Sequence, residues 1–251
     1  WAPFALHPVL KKAMVALGFN TPTDVQAATL PPSLGTDAMQ PRDVVGVAQT
    51  GSGKTLAYAL PILQYILENT AHSQDPARSL EALVLTPTRE LALQVCSHIR
   101  AVVEAGGRFA NVAAICGGMS VQKQERVLLQ HGGAHIVVAT PGRLWDMIKH
   151  DDALALRVRR TRFLVIDEAD RMIEAGHFAE MDLLLQMVRR TKGAAADANP
   201  DMQTFVYSAT MSKALQTNLK RALWRKKQRR EAEPSNLSLI HISEPTRLRR
   251  I

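Results

Sequence analysis

The 251 residues are 46% hydrophobic and 22% charged, ordinary values for a globular protein. Two cysteines, Cys96 and Cys116, are too few for a disulfide scaffold or a four-cysteine zinc site, and no apolar run reaches the roughly 18 residues of a membrane span. Of the net charge of +8, residues 220–251 carry +7 from ten basic and three acidic residues, which leaves the first 219 residues at +1.

A polyanion partner therefore cannot be argued for the body of the chain from net charge. It has to be argued from local residues. The N-terminus has no basic stretch leading into an apolar one, so no signal peptide is expected.

In chain order, short runs of Val, Ile, Leu, Phe and Ala alternate with segments of helical pattern. Val44–Ala48 reads as a strand and Thr55–Glu68 as a helix. Ala82–Thr86 leads into a helix over Thr88–Glu104, Val112–Ile115 into Val121–Gln130, and Ile136–Thr140 into Arg143–Ile148. Phe163–Asp167 is followed by helical patterns at Glu168–Ile173 and Phe178–Arg189, and Thr204–Ser208 closes the series. The strand runs do not alternate with polar residues, as expected of strands covered on both faces. The fold class is thus α/β, a mostly parallel open sheet flanked by helices on both faces, with right-handed crossovers.

Loops are expected at Ser33–Arg42, Asn69–Leu80 and Gly193–Met202. Residues 1–224 form one domain and 225–236 a basic, linker-like segment. Leu237–Arg247 is similar to the conceptual translation of a transposase sequencing adapter. On that reading residues 237–251 are a scar or a disordered tail without fold information, and the natural chain continues past Asn236. The dense basic run Arg157–Arg162 reads as a solvated loop before the next strand, with a partner or RNA contact as the alternative. The histidines show no paired ligand spacing, so no metal is assigned to them.

The first strand runs into Ala48-Gln49-Thr50-Gly51-Ser52-Gly53-Lys54-Thr55, and a helix follows. This is a phosphate-binding loop in its expected setting, with Ala48 where the strict pattern has glycine. Glycines let the backbone wrap an anion, and the freed N–H groups at the helix start point at phosphate oxygens. Lys54 would reach the β- and γ-phosphates of a bound nucleotide, and Thr55 would offer a hydroxyl to Mg²⁺. The second signal is Phe163-Leu164-Val165-Ile166-Asp167-Glu168, four apolar residues ending in two carboxylates. Ligands of open α/β sheets bind at the carboxyl ends of strands, which suits Asp167 to Mg²⁺, partly through water. Glu168 suits orienting or deprotonating an attacking water. An acidic helix start is the other reading of this pair taken alone.

Asp167–Asp170 spells DEAD. With Ala48–Thr55 it resembles the first RecA-like domain of the DEAD-box RNA helicases, a P-loop NTPase fold, and the likeness runs over about residues 1–224. Gly18-Phe19-x-x-Pro22-Thr23-x-x-Gln26 is similar to the family's Q motif. Pro87-Thr88-Arg89-Glu90-Leu91-Ala92, Gly117-Gly118 and Thr140-Pro141-Gly142-Arg143 resemble its RNA-backbone elements, and Ser208-Ala209-Thr210 its third motif. Ala48 is itself the family's form of the phosphate loop.

The resemblance implies ATP and Mg²⁺ as cofactors and RNA as partner, held by its backbone and largely without sequence preference. Gln26 would select adenine, an amide presenting one donor and one acceptor. Phe19 would stack on the base, though core packing is an equal reading of Phe19 alone. Pro87, Thr88, Arg89, Gly118, Thr140, Pro141, Gly142 and Arg143 would hold RNA, with a solvated ion pair to Glu90 or Glu104 the simpler reading of Arg89 by itself. Asp170, Ser208 and Thr210 would link hydrolysis to RNA handling.

The expected activity is RNA-stimulated ATP hydrolysis coupled to local duplex unwinding, represented here by the first lobe. The second RecA-like domain is missing, and the isolated lobe is expected to be nearly inactive. The alternative is an ATP-dependent RNA clamp or ribonucleoprotein scaffold that does not unwind. The stretch Asp170–Glu180, with Trp1 upstream, resembles the branch linked to assembly of the large ribosomal subunit, which implies pre-ribosomal partners and a nucleolar location.

Overall fold

The computed structural model describes residues 1–35, 40–69, 80–129, 133–174, 178–189, 202–210 and 237–241. Most of the three expected loops, the basic segment 225–236 and the tail beyond 241 lie outside them.

Six strands come from the apolar runs: β1 (Asp43–Val47), β2 (Ala82–Leu85), β3 (Val112–Ile115), β4 (Ile136–Ala139), β5 (Phe163–Ile166) and β6 (Gln203–Ser208). Every strand residue in them is buried. A seventh, β7 (Leu237–His241), lies at the edge beside β1, and the order across the sheet is β3-β4-β2-β5-β6-β1-β7. All neighbouring pairs are parallel.

Burial on both faces follows from the two-residue period of a strand. Val44, Val84, Val138, Val165 and Phe205 face one hydrophobic core; Val45, Leu83, Val137, Leu164 and Val206 face the other. The first core is covered by α1 (Pro8–Ala16), α2 (Asp24–Leu34), α3 (Lys54–Asn69) and α4 (Arg89–Ala105). Residues of α6 (Pro141–Ile148), α7 (Asp152–Arg159), α8 (Ala169–Glu174) and α9 (Phe178–Arg189) build the second, with Leu128 from α5 (Val121–Leu129).

Three helices and one strand were not expected. Helix α1 starts on Pro8, placed where a missing N–H costs nothing, and His7 accepts from the Val9 N–H at 3.2 Å. Helix α2 contains Pro31 and Pro32, residues that read as breakers in sequence. The basic run Arg157–Arg162 is corrected: Arg157, Val158 and Arg159 close α7, whose Leu154, Ala155 and Val158 are buried. The charges disguise an apolar face at helical spacing. Arg162 follows the helix and lays its guanidinium 4.6 Å from the centre of the Tyr65 ring.

Residues 237–241, read from the sequence as part of a scar or a disordered tail, lie beside β1 as β7. Leu-Ser-Leu-Ile-His is apolar enough to add a strand to the β1 edge, and an open edge is a template for any such segment.

Candidate nucleotide and nucleic-acid site

Apart from the Phe19–Gln26 segment, which precedes β1, the expected site segments leave the carboxyl ends of strands, where an open parallel sheet binds its ligands. The strand order sorts them. The phosphate loop leaves β1, the Ser208–Thr210 segment leaves β6 and the acidic pair leaves β5, three adjacent strands. The segments at Pro87, Thr140 and Gly117 leave β2, β4 and β3, the other half of the edge. Ladder bonds continue past the strand ends and fix these exits: Ala48 N–H to Ser208 O (3.0 Å), Asp167 N–H to Leu85 O (2.9 Å) and Thr140 N–H to Ile115 O (3.0 Å).

The phosphate loop turns on two glycines in the left-handed region, Gly51 (φ 82°) and Gly53 (φ 92°). Lys54 is 7% exposed, and its Nζ donates to Ala48 O across the loop at 2.7 Å. Ser52 Oγ is buried without a hydrogen-bond partner, a polar atom whose burial calls for an oxygen-rich ligand. Gln26 is 3% exposed. Its amide accepts from the Thr23 N–H at 3.0 Å and donates to Gly53 O at 3.0 Å. It therefore fastens α2 to the phosphate loop. Phe19 is 45% exposed, and its carbonyl accepts the Trp1 indole N–H.

Asp167 and Glu168 are both buried. Asp167 Oδ2 accepts from the Tyr58 hydroxyl at 2.9 Å and Oδ1 from the Glu168 N–H at 3.0 Å. Burial pushes the Asp167 carboxyl above the usual carboxylate range, against the Tyr58 hydrogen bond and the Lys54 charge, which pull it down. Glu168 has a left-handed backbone, φ 50°, unusual for a side chain of its size. Its carboxylate pairs with Arg171 at 2.9 Å.

Asp170, Ser208 and Thr210 are brought together. Asp170 Oδ2 accepts from both the backbone N–H and the hydroxyl of Thr210, at 3.0 and 2.9 Å, and Ser208 Oγ donates to Thr210 O at 2.7 Å. Burial raises the Asp170 carboxyl, but hydrogen bonds from Thr210 and Ser208 outweigh it and the net shift is downward.

On the other half of the edge, Thr88 caps α4 by accepting from the Leu91 N–H at 3.3 Å. Arg89 begins that helix and lies against Gly118: a Cβ there would fall 1.8 Å from Arg89 Nη1. Thr140 stands at the N-cap of α6, with Pro141 next in the helix. Arg143 donates from Nε to Gln124 Oε1 at 2.9 Å and from Nη2 to Met119 O at 2.8 Å. Gln124, fully buried, in turn donates to Cys116 O. The group ties α6 to the turn after β3. Around it, burial pushes the Cys116 thiol up, against the positive charge of Arg89.

Sequence reading missed Gln124 and Tyr58, because neither belongs to a contiguous motif. The only sequence signal for Tyr58 is its position one turn beyond Lys54 on a helix. No group of three or more His, Cys, Asp and Glu gathers to hold a metal among the described residues, and no described helix is long and apolar enough to cross a membrane. The fit to a nucleoside triphosphate with Mg²⁺ rests on the glycine-turned loop, the partnerless Ser52 hydroxyl and Lys54. Thr55 and Asp167 are the oxygen donors that suit the cation.

The chain is 40% identical over 254 residues to DEAD-box ATP-dependent RNA helicase 13 of Oryza sativa subsp. japonica, covering 90% of this chain and 29% of that protein. It is 39% identical over 224 residues to ATP-dependent RNA helicase mak5 of Schizosaccharomyces pombe, covering 88% and 31%. It thus spans about three-tenths of the length of these relatives. Among solved structures, the yeast DEAD-box splicing factor Prp28 superimposes with a TM-score of 0.74 at 31% identity, over 86% of this chain and 47% of that one. A DEAD box protein from the hyperthermophile Methanococcus jannaschii gives 0.73 at 29%, over 96% and 55%. The DEAD/DEAH box helicase family model matches residues 23–217, a span that holds the phosphate loop, the acidic pair, the strand-end hydroxyls and the Arg89–Gly118 contact, and the chain belongs to that family.

Proposed function

We propose that the protein is an ATP-dependent RNA helicase that couples ATP hydrolysis to RNA binding and local duplex unwinding, and that this chain is its first RecA-like lobe. The observation that carries the reading is the division of one sheet edge into a phosphate-and-carboxylate half and a half of helix starts and arginines. The relatives' shared designation as ATP-dependent RNA helicases supports it.

In this reading the loop Ala48–Thr55 cradles the phosphates with backbone N–H groups, and Lys54 exchanges Ala48 O for phosphate oxygens. Thr55 and Asp167, the latter partly through water, would hold Mg²⁺, which would neutralise phosphate charge. Glu168 leaves Arg171 to orient the attacking water. Gln26 is already engaged with Thr23 and Gly53, so its remaining amide hydrogen and oxygen lone pair meet adenine while the loop is held. Phe19 supplies the exposed ring for stacking. Thr88, Arg89, Gly118 and the helix start at Thr140–Gly142 grip RNA phosphates. Arg143 acts beside them by bracing Gln124 and Met119. The Thr210–Asp170–Ser208 group joins the two halves. The whole protein's second RecA-like domain completes the ATP site, and pre-ribosomal RNA and proteins in the nucleolus are its setting, a reading supported by the resemblance at Asp170–Glu180.

The test is phosphate release by the full-length protein with and without single-stranded RNA. Glu168→Gln is expected to keep nucleotide binding and to lower RNA-stimulated turnover by about 10²–10⁴-fold, the usual contribution of a general base. Turnover that survives this change overturns the assignment of Glu168, and turnover indifferent to RNA overturns the helicase reading. The 251-residue lobe alone is expected to hydrolyse ATP at a rate lower by about 10³–10⁵-fold, the worth of an arginine supplied from outside a P-loop site.

A further inference from the structure

Tyr58 lies one turn into α3 and is fully buried. Its hydroxyl donates to Asp167 Oδ2 at 2.9 Å, across 109 residues of sequence. The Thr55 side chain approaches the same phenol oxygen. Its ring leans on that of Tyr207, with centroids 5.6 Å apart and an interplanar angle of 49°. A phenylalanine would fill this space and make the same ring contact. The hydroxyl needs a separate reason, because burying one is unfavourable unless it is hydrogen-bonded. Its acceptor is the carboxylate assigned above to the cation, and Thr55, whose side chain interacts with the phenol, is the other assigned donor.

We propose that Tyr58 is a positioning residue for the Mg²⁺ site: its hydroxyl holds the Asp167 carboxylate and the Thr55 side chain in one arrangement before the cation arrives. The proposal rests on the nucleotide-binding reading of the loop. A hydrogen bond to a carboxylate is stronger than one between neutral groups. With Oδ1 already taken by the Glu168 N–H, the Tyr58 bond removes the rotational freedom left to the carboxylate. Without it the cation must order Asp167 itself, and that cost appears as weaker metal binding.

The experiment titrates Mg²⁺ into the 251-residue chain in the presence of a fluorescent ATP analogue, for the unsubstituted chain and for Tyr58→Phe. The half-saturating Mg²⁺ concentration is expected to rise by about 10–100-fold in Tyr58→Phe, the usual cost of losing a group that orients a metal ligand. Nucleotide affinity without Mg²⁺ should stay unchanged, a split that a merely structural defect would not produce. An unchanged Mg²⁺ requirement in a folded Tyr58→Phe chain overturns the proposal. If the unsubstituted 251-residue chain binds no nucleotide at any Mg²⁺ concentration, the nucleotide reading fails and the proposal with it.

Should Tyr58→Phe not fold, the unsubstituted 251-residue chain carrying ¹³Cζ-tyrosine answers the question, because it has only three tyrosines: Tyr58, Tyr65 and Tyr207. Adding Mg²⁺ to the nucleotide-bound chain is expected to shift the Tyr58 resonance and leave that of Tyr65 in place. A Tyr58 resonance blind to Mg²⁺ overturns the proposal.

Discussion

Gln26 uses both ends of its amide inside the protein, accepting from Thr23 and donating to Gly53. Gln26→Ala removes both bonds and leaves the part-buried Thr23 N–H and Gly53 carbonyl to water, at about 0.5–1.5 kcal/mol for each bond. The expected outcome is a lower melting temperature together with weaker nucleotide binding, read by thermal denaturation and fluorescence titration. Gly53→Ala should damage the same joint, since its Cβ would meet Gln26 Nε2 at 2.5 Å on a backbone of positive φ.

Asp170 gives a pH-dependent test. Its carboxyl is depressed in the folded chain. The stability it contributes is therefore present above the unfolded value, near ~3.9, and is lost as pH falls through the folded value. Thr210→Val removes one of the hydrogen bonds that depress it, so the variant should lose stability at neutral pH and show a shallower acid limb. Melting temperature followed from about pH 6 down to 3, across the range where a carboxyl titrates, checks both points.

At this scale the phosphate loop and the acidic pair were legible because their chemistry is local: the groups that act are neighbours in sequence. Tyr58 and the Gln124–Arg143 pair were not, because their meaning lies in partners that only the sheet brings near.

At the scale of elements, the apolar runs foretold six strands to within a residue at either end. A strand buried on both faces has no polar alternation to confuse it with a surface element. Helix α2 was hidden by its two prolines and α7 by its arginines. Asp151 caps α7 by accepting from the Leu154 N–H at 2.9 Å. Asp151→Ala is expected to reduce stability by about 1 kcal/mol, the usual worth of such a cap, without altering nucleotide binding. Chemical denaturation beside a nucleotide titration separates the two effects. A comparable loss of nucleotide affinity would mean that α7 reaches the site, which its position in the second core does not suggest.

For the molecule as a whole, β7 bears on how the sheet ends. It pairs with β1 over five residues, Asp43 to Val47, and β1 carries the phosphate loop. A chain ending at residue 236 would leave that edge of β1 without its β7 partner, and exposed edges invite association. Such a chain is expected to melt earlier and to scatter more light on standing than the 251-residue chain. Equal behaviour would mean that β1 does not need this particular neighbour, as expected if the segment is foreign to the natural sequence.

The order of strands also predicts how damage will present itself. In the proposed reading, nucleotide contacts fall on the Phe19–Gln26 segment and on the segments after β1, β6 and β5, RNA contacts fall on those after β2, β4 and β3, and the two sets of strands adjoin where β2 lies beside β5. A survey of random substitutions should therefore fall into two complementation-like classes, one that loses ATP while still holding RNA and one that does the reverse. Variants that retain both ligands yet no longer let one influence the other should cluster at that single seam, where the Asp167 N–H donates to the Leu85 carbonyl.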